Sequence, residues 1–501
     1  MQALLHVCIL TEKRILKKIQ FTCILWIQFF SKEVMMLLID KESSKNLYTQ
    51  LYEGLKQQIL SGELPTGFIL PATRKMAQEY ELSRNTVITA YRQLEVEGYI
   101  YSTQGSGFYV ESLPPQPCEQ QENEKIEPAK KERAPHYDFR YGGIDRNIYR
   151  NRAFRHSLNN ALADRENCSS LLYEAPEGLL ILRQQLCQYL KRFRGVRCHP
   201  EQVIITSGHH HSLSLIAQFL PPQEYEFAME NPGYRGTRDV FSHQGYAMHY
   251  IPIGPQGIEL SPLRRLPPSL ISITPSHQFP MGSVLPIKKR LQLLELAAMG
   301  GHYILEDDYD SELRYEEQPI PSLQSIDTAG RTFYLGTFSK TTAPDIRLAY
   351  IVVPPNLSFH FSETYPFYTS PVSSLLQLTL ADFMERGEYE KQVNALRNDF
   401  RKKHAFIRQY LEAHFPQTVR ICGGGGGMHF VLEIDTACTE EEIINRFRQN
   451  EVGVYSLKPY WANPDDSPQN QVLIGYGAIP LNRLPVNVEA LGETLNDLEN
   501  A

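Results

Sequence analysis

The chain has 501 residues, 42% hydrophobic and 21% charged, with 50 Lys and Arg against 57 Asp and Glu for a net charge of −7. This composition excludes disorder over most of the length and excludes a uniformly basic nucleic-acid binder. It leaves room for DNA binding by one small domain. At roughly 100–200 residues per domain, the length predicts two to four domains. The eight cysteines (Cys8, Cys23, Cys118, Cys168, Cys187, Cys198, Cys422 and Cys438) include no C-x-x-C pair. They read as reduced thiols of a cytosolic protein, with no zinc knuckle.

Residues 1–45 form an extension of uncertain status. Lys13, Arg14, Lys17 and Lys18 precede the apolar run FTCILWIQFF, Phe21 to Phe30. That run is too short to cross a bilayer, and no small-residue cleavage site follows it. A structural arm and a membrane-surface segment remain alternatives. The expected reading is a start-codon artefact, with Met35 or Met36 the natural start and no integral membrane association.

From Asn46 the pattern becomes regular. Leu47, Leu51, Leu55 and Ile59 recur at steps of four, which predicts an amphipathic helix stopped by Ser61-Gly62-Glu63-Leu64-Pro65. A second short helix is expected near Thr73 to Tyr80. Ser83 is a good N-cap for a third, from Arg84 to about Glu97, with Val87, Tyr91 and Leu94 facing inward. Two helices joined by a short turn make a helix-turn-helix, whose second helix can enter a major groove about 12 Å wide. Tyr99 to Tyr101 and Phe108 to Val110 then read as strands joined by Gln104-Gly105-Ser106-Gly107, a wing. Residues 45–111 carry six basic and seven acidic side chains. Phosphate contact must therefore come from a local patch: Arg74, Lys75, Arg84 and Arg92.

The run PATRKMAQEYELSRNTVITAYRQLEVEGYIYSTQGSGFYV, Pro71 to Val110, resembles the winged-helix DNA-binding domain of GntR-type bacterial regulators. The resemblance implies that residues 46–111 bind a double-stranded operator, with Arg74, Ser83, Arg84, Thr86, Arg92 and Gly105 at the DNA surface. The family pattern usually has Ser where Ala72 stands.

Residues 112–136, with five prolines and nine charged residues, read as a solvated tether. Beyond it, in 137–501, strand-like runs alternate with helical ones: Val203 to Thr206, Ile271 to Thr274, Tyr303 to Glu306, Thr332 to Leu335 and Leu348 to Val353, with helices such as Lys288 to Met299 between them. This predicts an α/β domain with a largely parallel sheet. Leu375 to Ala413 reads as helical. A smaller subdomain spanning about 375–501 carries strands at Met428 to Ile434 and Val472 to Tyr476.

Lys340, in GTFSKTTAP, follows a core strand. An enclosed lysine can form a Schiff base with an aldehyde such as pyridoxal phosphate (PLP). PLP also needs a carboxylate for its ring nitrogen, amides or a cation for its phosphate, and a ring neighbour. Asp307 or Asp308, at a strand end, supplies the first. Arg347, Thr337, Ser339 and the helix start at Gly208, His209 and His210 supply the second. Tyr234 supplies the third. The histidine run at 209–211 lacks partners at metal-ligand spacing, so no metal site is expected. Gly423 to Gly427 matches no phosphate loop and reads as a flexible entry to the small subdomain.

Four stretches in order, YEAPEGLLILRQQLCQYLKRFRGVRCHPEQVIITSG from Tyr173, TPSHQFPMG from Thr274, EDDYDSELRY from Glu306 and GTFSKTTAPDIRLAY from Gly336, resemble the fold-type-I aminotransferase domain. In particular they resemble the version fused to a GntR-type domain in MocR/GabR-type regulators. The resemblance implies that Lys340 is the Schiff-base lysine and that Asp307 pairs with the pyridine nitrogen. It further implies that Tyr309 hydrogen-bonds the ring 3-oxygen, Tyr234 stacks, Arg347 holds the phosphate, and the domain forms a homodimer. His210, Met281 and Ala349 replace the usual Gln, Thr and Gly. The late arginine that grips a substrate carboxylate has no counterpart in NQVLIGYG, Asn470 to Gly477; Lys458 is a substitute cation for an effector. The expected function is a cytoplasmic, PLP-dependent transcriptional regulator whose effector, an amino compound or PLP itself, acts at Lys340. A working aminotransferase with an accessory DNA-binding domain is the alternative, and a residual half-reaction fits either.

Overall fold

The structure is a computed structural model. It describes residues 37–114 except 104, and 134–499 except 146–147, 167–174, 316–319, 359–362, 365–367 and 424. The expectations for the apolar run at 21–30 and for most of the tether fall outside these residues. The chain divides into two compact units, 1–130 and 131–501. Among the described residues no helix is long and apolar enough to cross a membrane.

The first unit packs three helices, α1 (Leu47–Leu60), α2 (Thr73–Glu79) and α3 (Arg84–Val96), against a three-stranded sheet. The predicted strands are present as β2 (Ile100–Thr103) and β3 (Gly107–Val110). A short strand not anticipated, β1 (Ile69–Leu70), pairs with β3 through Ile69 and Tyr109. Leu51, Leu55, Val87, Tyr91 and Leu94 are fully buried, as their spacing requires. Each is worth about 1.5–3 kcal/mol relative to exposure. The Tyr91 hydroxyl donates to the Pro71 carbonyl at 2.9 Å, tying α3 to the start of α2. Ser83 caps α3: its hydroxyl accepts from the Thr86 N–H at 3.1 Å. Ser83→Ala should therefore destabilise this unit by about 1 kcal/mol, read as a shift in its urea unfolding midpoint without DNA; an unchanged midpoint would contradict the cap.

The second unit is built on an eight-stranded sheet: β5 (Val203–Thr206), β6 (Glu226–Asn231), β7 (Met248–Gly254), β8 (Gly257–Ile258), β9 (Ser269–Ile273), β10 (Tyr303–Asp308), β11 (Thr332–Thr337) and β12 (Ala349–Val352), in the order β5-β12-β11-β10-β9-β6-β7-β8. Its centre, β11-β10-β9-β6-β7, is parallel. The strand β12 runs against both its neighbours, and β8 against β7. The strands β9, β10 and β11 are buried on both faces, and their apolar runs mark them in the sequence. Before it lie β4 (Tyr137–Asp138) and the helices α4 (Arg152–Glu166) and α5 (Leu180–Arg194). The helices α6 (His209–Phe219), α7 (Arg235–His243) and α8 (Ile287–Gly300) connect its strands.

The long helical stretch is two helices, α9 (Ser374–Glu385) and α10 (Glu388–His414), separated at Gly387 with φ +68°. A second, four-stranded sheet follows in the order β13-β14-β17-β16: β13 (Val419–Cys422), β14 (His429–Ile434), β16 (Tyr455–Ser456) and β17 (Gln471–Gly475). It is accompanied by α11 (Glu440–Gln449), β15 (Val452–Gly453) and α12 (Leu484–Glu499). The strand β15 pairs in parallel with β4, so the segment that enters this unit from the tether is stitched to its C-terminal part.

Candidate functional site

The parallel strands converge at their carboxyl edge, where ligands of open α/β sheets bind. Thr337 ends β11, Asp307 lies in the last turn of β10, and Gly208 follows β5. Because β12 is antiparallel, Arg347, just before it, arrives at the same edge. A cavity of about 190 Å³ there is lined by Lys340, Asp307, Tyr309, Tyr234, Arg347, Thr337, Ser339, His209 and His210. These residues, named above from the sequence, are thus gathered in one place, with Gly208 packed against Arg347.

The choice between Asp307 and Asp308 follows from the two-residue period of a strand. Asp307 faces the cavity. Glu306 and Asp308 face away: Glu306 accepts the N–H groups of Leu323 and Gln324 at 2.7 and 2.9 Å, and Asp308 is paired with Arg194 at 2.7 Å. Burial, reinforced by Asp308 and Asp310 and opposed by Lys340, pushes the Asp307 carboxyl up to about 8. The nearest imidazole nitrogen, His209 Nε2, lies 3.4 Å from Asp307 Oδ2, yet is buried without a hydrogen-bond partner. Burial, with Lys340 and Arg347 beside it, holds His209 down at about 4, so it is neutral and does not compensate the carboxylate. Lys340 compensates the carboxyl only in part, and a protonated pyridine nitrogen fits the remaining need.

The phosphate corner has a matching signature. Gly208 (φ +106°) caps α6, and a Cβ placed on it would collide with the Arg347 guanidinium. Only glycine lets the helix start and the arginine approach each other, and together they present amides and a positive charge to an anion. Arg347 itself is held at φ +51°, in the left-handed region that non-glycine residues seldom occupy. These residues fit PLP: an amine, a carboxyl and an anion corner, all lining one cavity.

Sequence reasoning missed Tyr141, Phe279 and Pro344, which also line the cavity. The Tyr141 ring lies 4.4 Å from Lys340 Nζ. Burial lowers the Lys340 amine to about 8, against the pull of Asp310 and Asp307. Nothing in the sequence near Tyr141 marks it, since only the pairing of β4 brings that segment here. Lys458 is not brought to this cavity; it pairs with Glu440 at 3.6 Å, while Tyr460, two residues on, stacks edge-on to Phe279. The end of the glycine run is packed rather than open: Gly426 bridges to Arg314, and Gly427 donates its N–H to Leu313 at 2.8 Å.

In the first unit Arg74, Ser83, Arg84, Arg92 and Gly105 are exposed and Thr86 is half-buried. Among the described residues none of the three arginines is in an ion pair. The Ser83 and Thr86 hydroxyls bond each other at 2.7 Å.

A winged helix-turn-helix unit and a fold-type-I aminotransferase-like unit in one chain define a class of fused bacterial regulators. The family model for bacterial regulatory proteins of the gntR family matches residues 47–110, and that for aminotransferases of class I and II matches residues 146–462. The chain is 34% identical to the HTH-type transcriptional regulator YhdI of Bacillus subtilis, over 90% of this chain and 96% of the relative. It is 31% identical to the probable rhizopine catabolism regulatory protein MocR of Rhizobium meliloti, over 93% and 97%. Among solved structures, LysN, the α-aminoadipate aminotransferase of Thermus thermophilus, superposes with a TM-score of 0.63 at 25% identity, over 73% of this chain and 93% of that one. The chain belongs to the MocR/GabR-type regulators of the GntR family, with a fused aminotransferase-like domain.

Proposed function

We propose that the protein is a PLP-dependent transcriptional regulator that binds a double-stranded operator through its first unit and senses a small amino compound, or PLP itself, through its second. When bound, PLP supplies an electrophilic aldehyde on an electron-withdrawing ring. The Lys340 amine, lowered to about 8 by burial so that a share of it is neutral near physiological pH, is the nucleophile that an amino effector would compete with. Asp307 holds the ring nitrogen in its protonated form. Tyr309 contacts the ring 3-oxygen and Tyr234 the ring face. Arg347, Thr337, Ser339 and the amides of Gly208, His209 and His210 hold the phosphate. Aminotransferase-like folds build their sites at a subunit boundary, so the working form is a homodimer that reads two half-sites.

The observation that carries this reading is a lysine and a largely buried, only partly compensated carboxyl facing one cavity beside an anion corner, in a chain whose other unit exposes three arginines on a winged helix. The relative PdxR, a pyridoxine biosynthesis transcriptional regulator of Corynebacterium glutamicum, is 29% identical over 88% of this chain and supports including B6 compounds among candidate effectors. The test is a visible-absorption titration of PLP-loaded protein with a panel of amino compounds, run beside operator binding. A compound that changes both supports the scheme, and a panel including PLP that changes neither sinks it. Arg84→Ala should weaken operator binding about tenfold at matched salt, the size of a lost base or phosphate contact; unchanged affinity would place the readout on another surface.

A further inference from the structure

Two buried residues outside the proposed cofactor contacts are organised around one that is inside. His277, in the loop after β9, and Asp310, just beyond β10, are 7% and 3% exposed. His277 Nδ1 lies 2.8 Å from Asp310 Oδ2 and 3.0 Å from the Tyr309 hydroxyl. A carboxylate can only accept, so this nitrogen carries the hydrogen and the tautomer is fixed. The same N–H is then shared with the phenol oxygen. That oxygen accepts from His277, so its own hydrogen has two acceptors within reach: the Asp310 carboxylate beside it and an anionic group in the cavity that Tyr309 lines.

The arrangement is locked from behind. Gly427 (φ +82°) lies against it, and a Cβ there would run into the His277 ring and come within 2.7 Å of Asp310 Oδ2. Its carbonyl accepts from the hydroxyls of Tyr476, at 2.8 Å, and Tyr315, and its N–H donates to Leu313. The glycine run ahead of β14 thus ends as a rigid wall that only a residue without a side chain can form. Burial, with Asp310, Tyr141 and Asp307 nearby, keeps the Tyr309 phenol well above its usual range, so it stays a donor.

We propose that Asp310 and His277, backed by Gly427, are positioning residues that fix the Tyr309 hydroxyl as a hydrogen-bond donor to an anionic oxygen in the cavity, the 3-oxygen of PLP. The identity of that oxygen rests on the cofactor reading above; the relay itself rests on the geometry. Other charged or titratable groups facing it are Asp307 on β10, Lys340 after β11, Tyr141 after β4, His429 on β14 and, beside Asp310, Glu312, Tyr315 and Tyr476.

The experiment uses the full chain as wild type, His277→Gln, Tyr309→Phe and the double variant, each loaded with PLP, and follows the visible band against pH. A donor to the 3-oxygen favours its deprotonated form, so losing the donor raises the midpoint. His277→Gln and Tyr309→Phe should each raise it by about one pH unit, roughly tenfold in proton affinity. In the double variant the His277 change should add nothing, because it acts through Tyr309. Gly427→Ala should move the midpoint in the same direction. A His277→Gln midpoint equal to wild type, or shifts that add in the double variant, would overturn the relay. Failure of wild-type chain to load PLP would count against the cofactor reading instead. The relay is then read without cofactor: NMR of the unloaded chain labelled at histidine should find His277 protonated on Nδ1, and protonation on Nε2 alone would overturn it.

Discussion

Lys340→Ala should abolish the visible absorption that PLP acquires on the wild-type chain, with no loss of secondary structure. The amine is nearly enclosed, lies against the Tyr141 ring, and has its proton affinity lowered to about 8 by burial. A substantial share is therefore the neutral nucleophile at physiological pH. Alanine removes that nucleophile but no apolar packing core, since the side chain borders a cavity. The Arg347 and Gly208 corner is untouched, so the variant should retain weak, non-covalent binding that dialysis removes. Absorption spectra before and after dialysis, with circular dichroism as the folding control, read the result. A variant that kept the band after dialysis would place the covalent chemistry on another residue.

Arg194→Ala should cost the second unit about 3–5 kcal/mol, the range for removing one partner of a buried ion pair. Both side chains of the Arg194–Asp308 pair are 2% exposed. The guanidinium also donates to Ser276 Oγ at 2.9 Å and to the Ile320 carbonyl. Without it, Asp308 keeps, among the described residues, the Tyr334 hydroxyl. It would then face Glu306, already raised to about 7 by burial and by Asp308 itself. Loss of the pair should also weaken PLP loading, since Asp308 and Asp307 are consecutive on β10 and the strand end cannot shift for one without the other. Denaturant unfolding of the full chain checks the first effect and PLP titration the second. A loss below about 1 kcal/mol would mean the carboxyl is protonated or rehydrated in the variant, and that the pair contributes little.

Much of this site can be read in the sequence because its parts sit at fixed places relative to apolar runs. Lys340 follows β11, Asp307 is next to last in β10 and Gly208 opens α6, and each preceding apolar run is clear enough to mark its strand. Where two candidates were adjacent, as with Asp307 and Asp308, composition is silent and only the side-chain alternation along β10 separates them. Contacts made across long sequence separation left no local trace. Tyr141 reaches Lys340 only because β4 pairs with β15. His277 meets Asp310 only because β9 and β10 are neighbours. The glycine run looked like slack chain because glycine composition does not distinguish freedom from close approach; Gly427 is an instance of close approach. The division of the long helix at Gly387 is likewise silent in the sequence, since one glycine in an apolar-periodic stretch can be tolerated within a helix.

The pairing of β4 has a mechanical consequence. Tyr137 and Phe139 donate their N–H groups to the carbonyls of Glu451 and Gly453, each at 3.0 Å, and the Phe139 carbonyl accepts from Gly475. Two residues further on, the Tyr141 ring stands beside the amine of Lys340. A molecule that displaces that ring should therefore be felt at the pairing of β4 with β15, close to where the chain enters this unit.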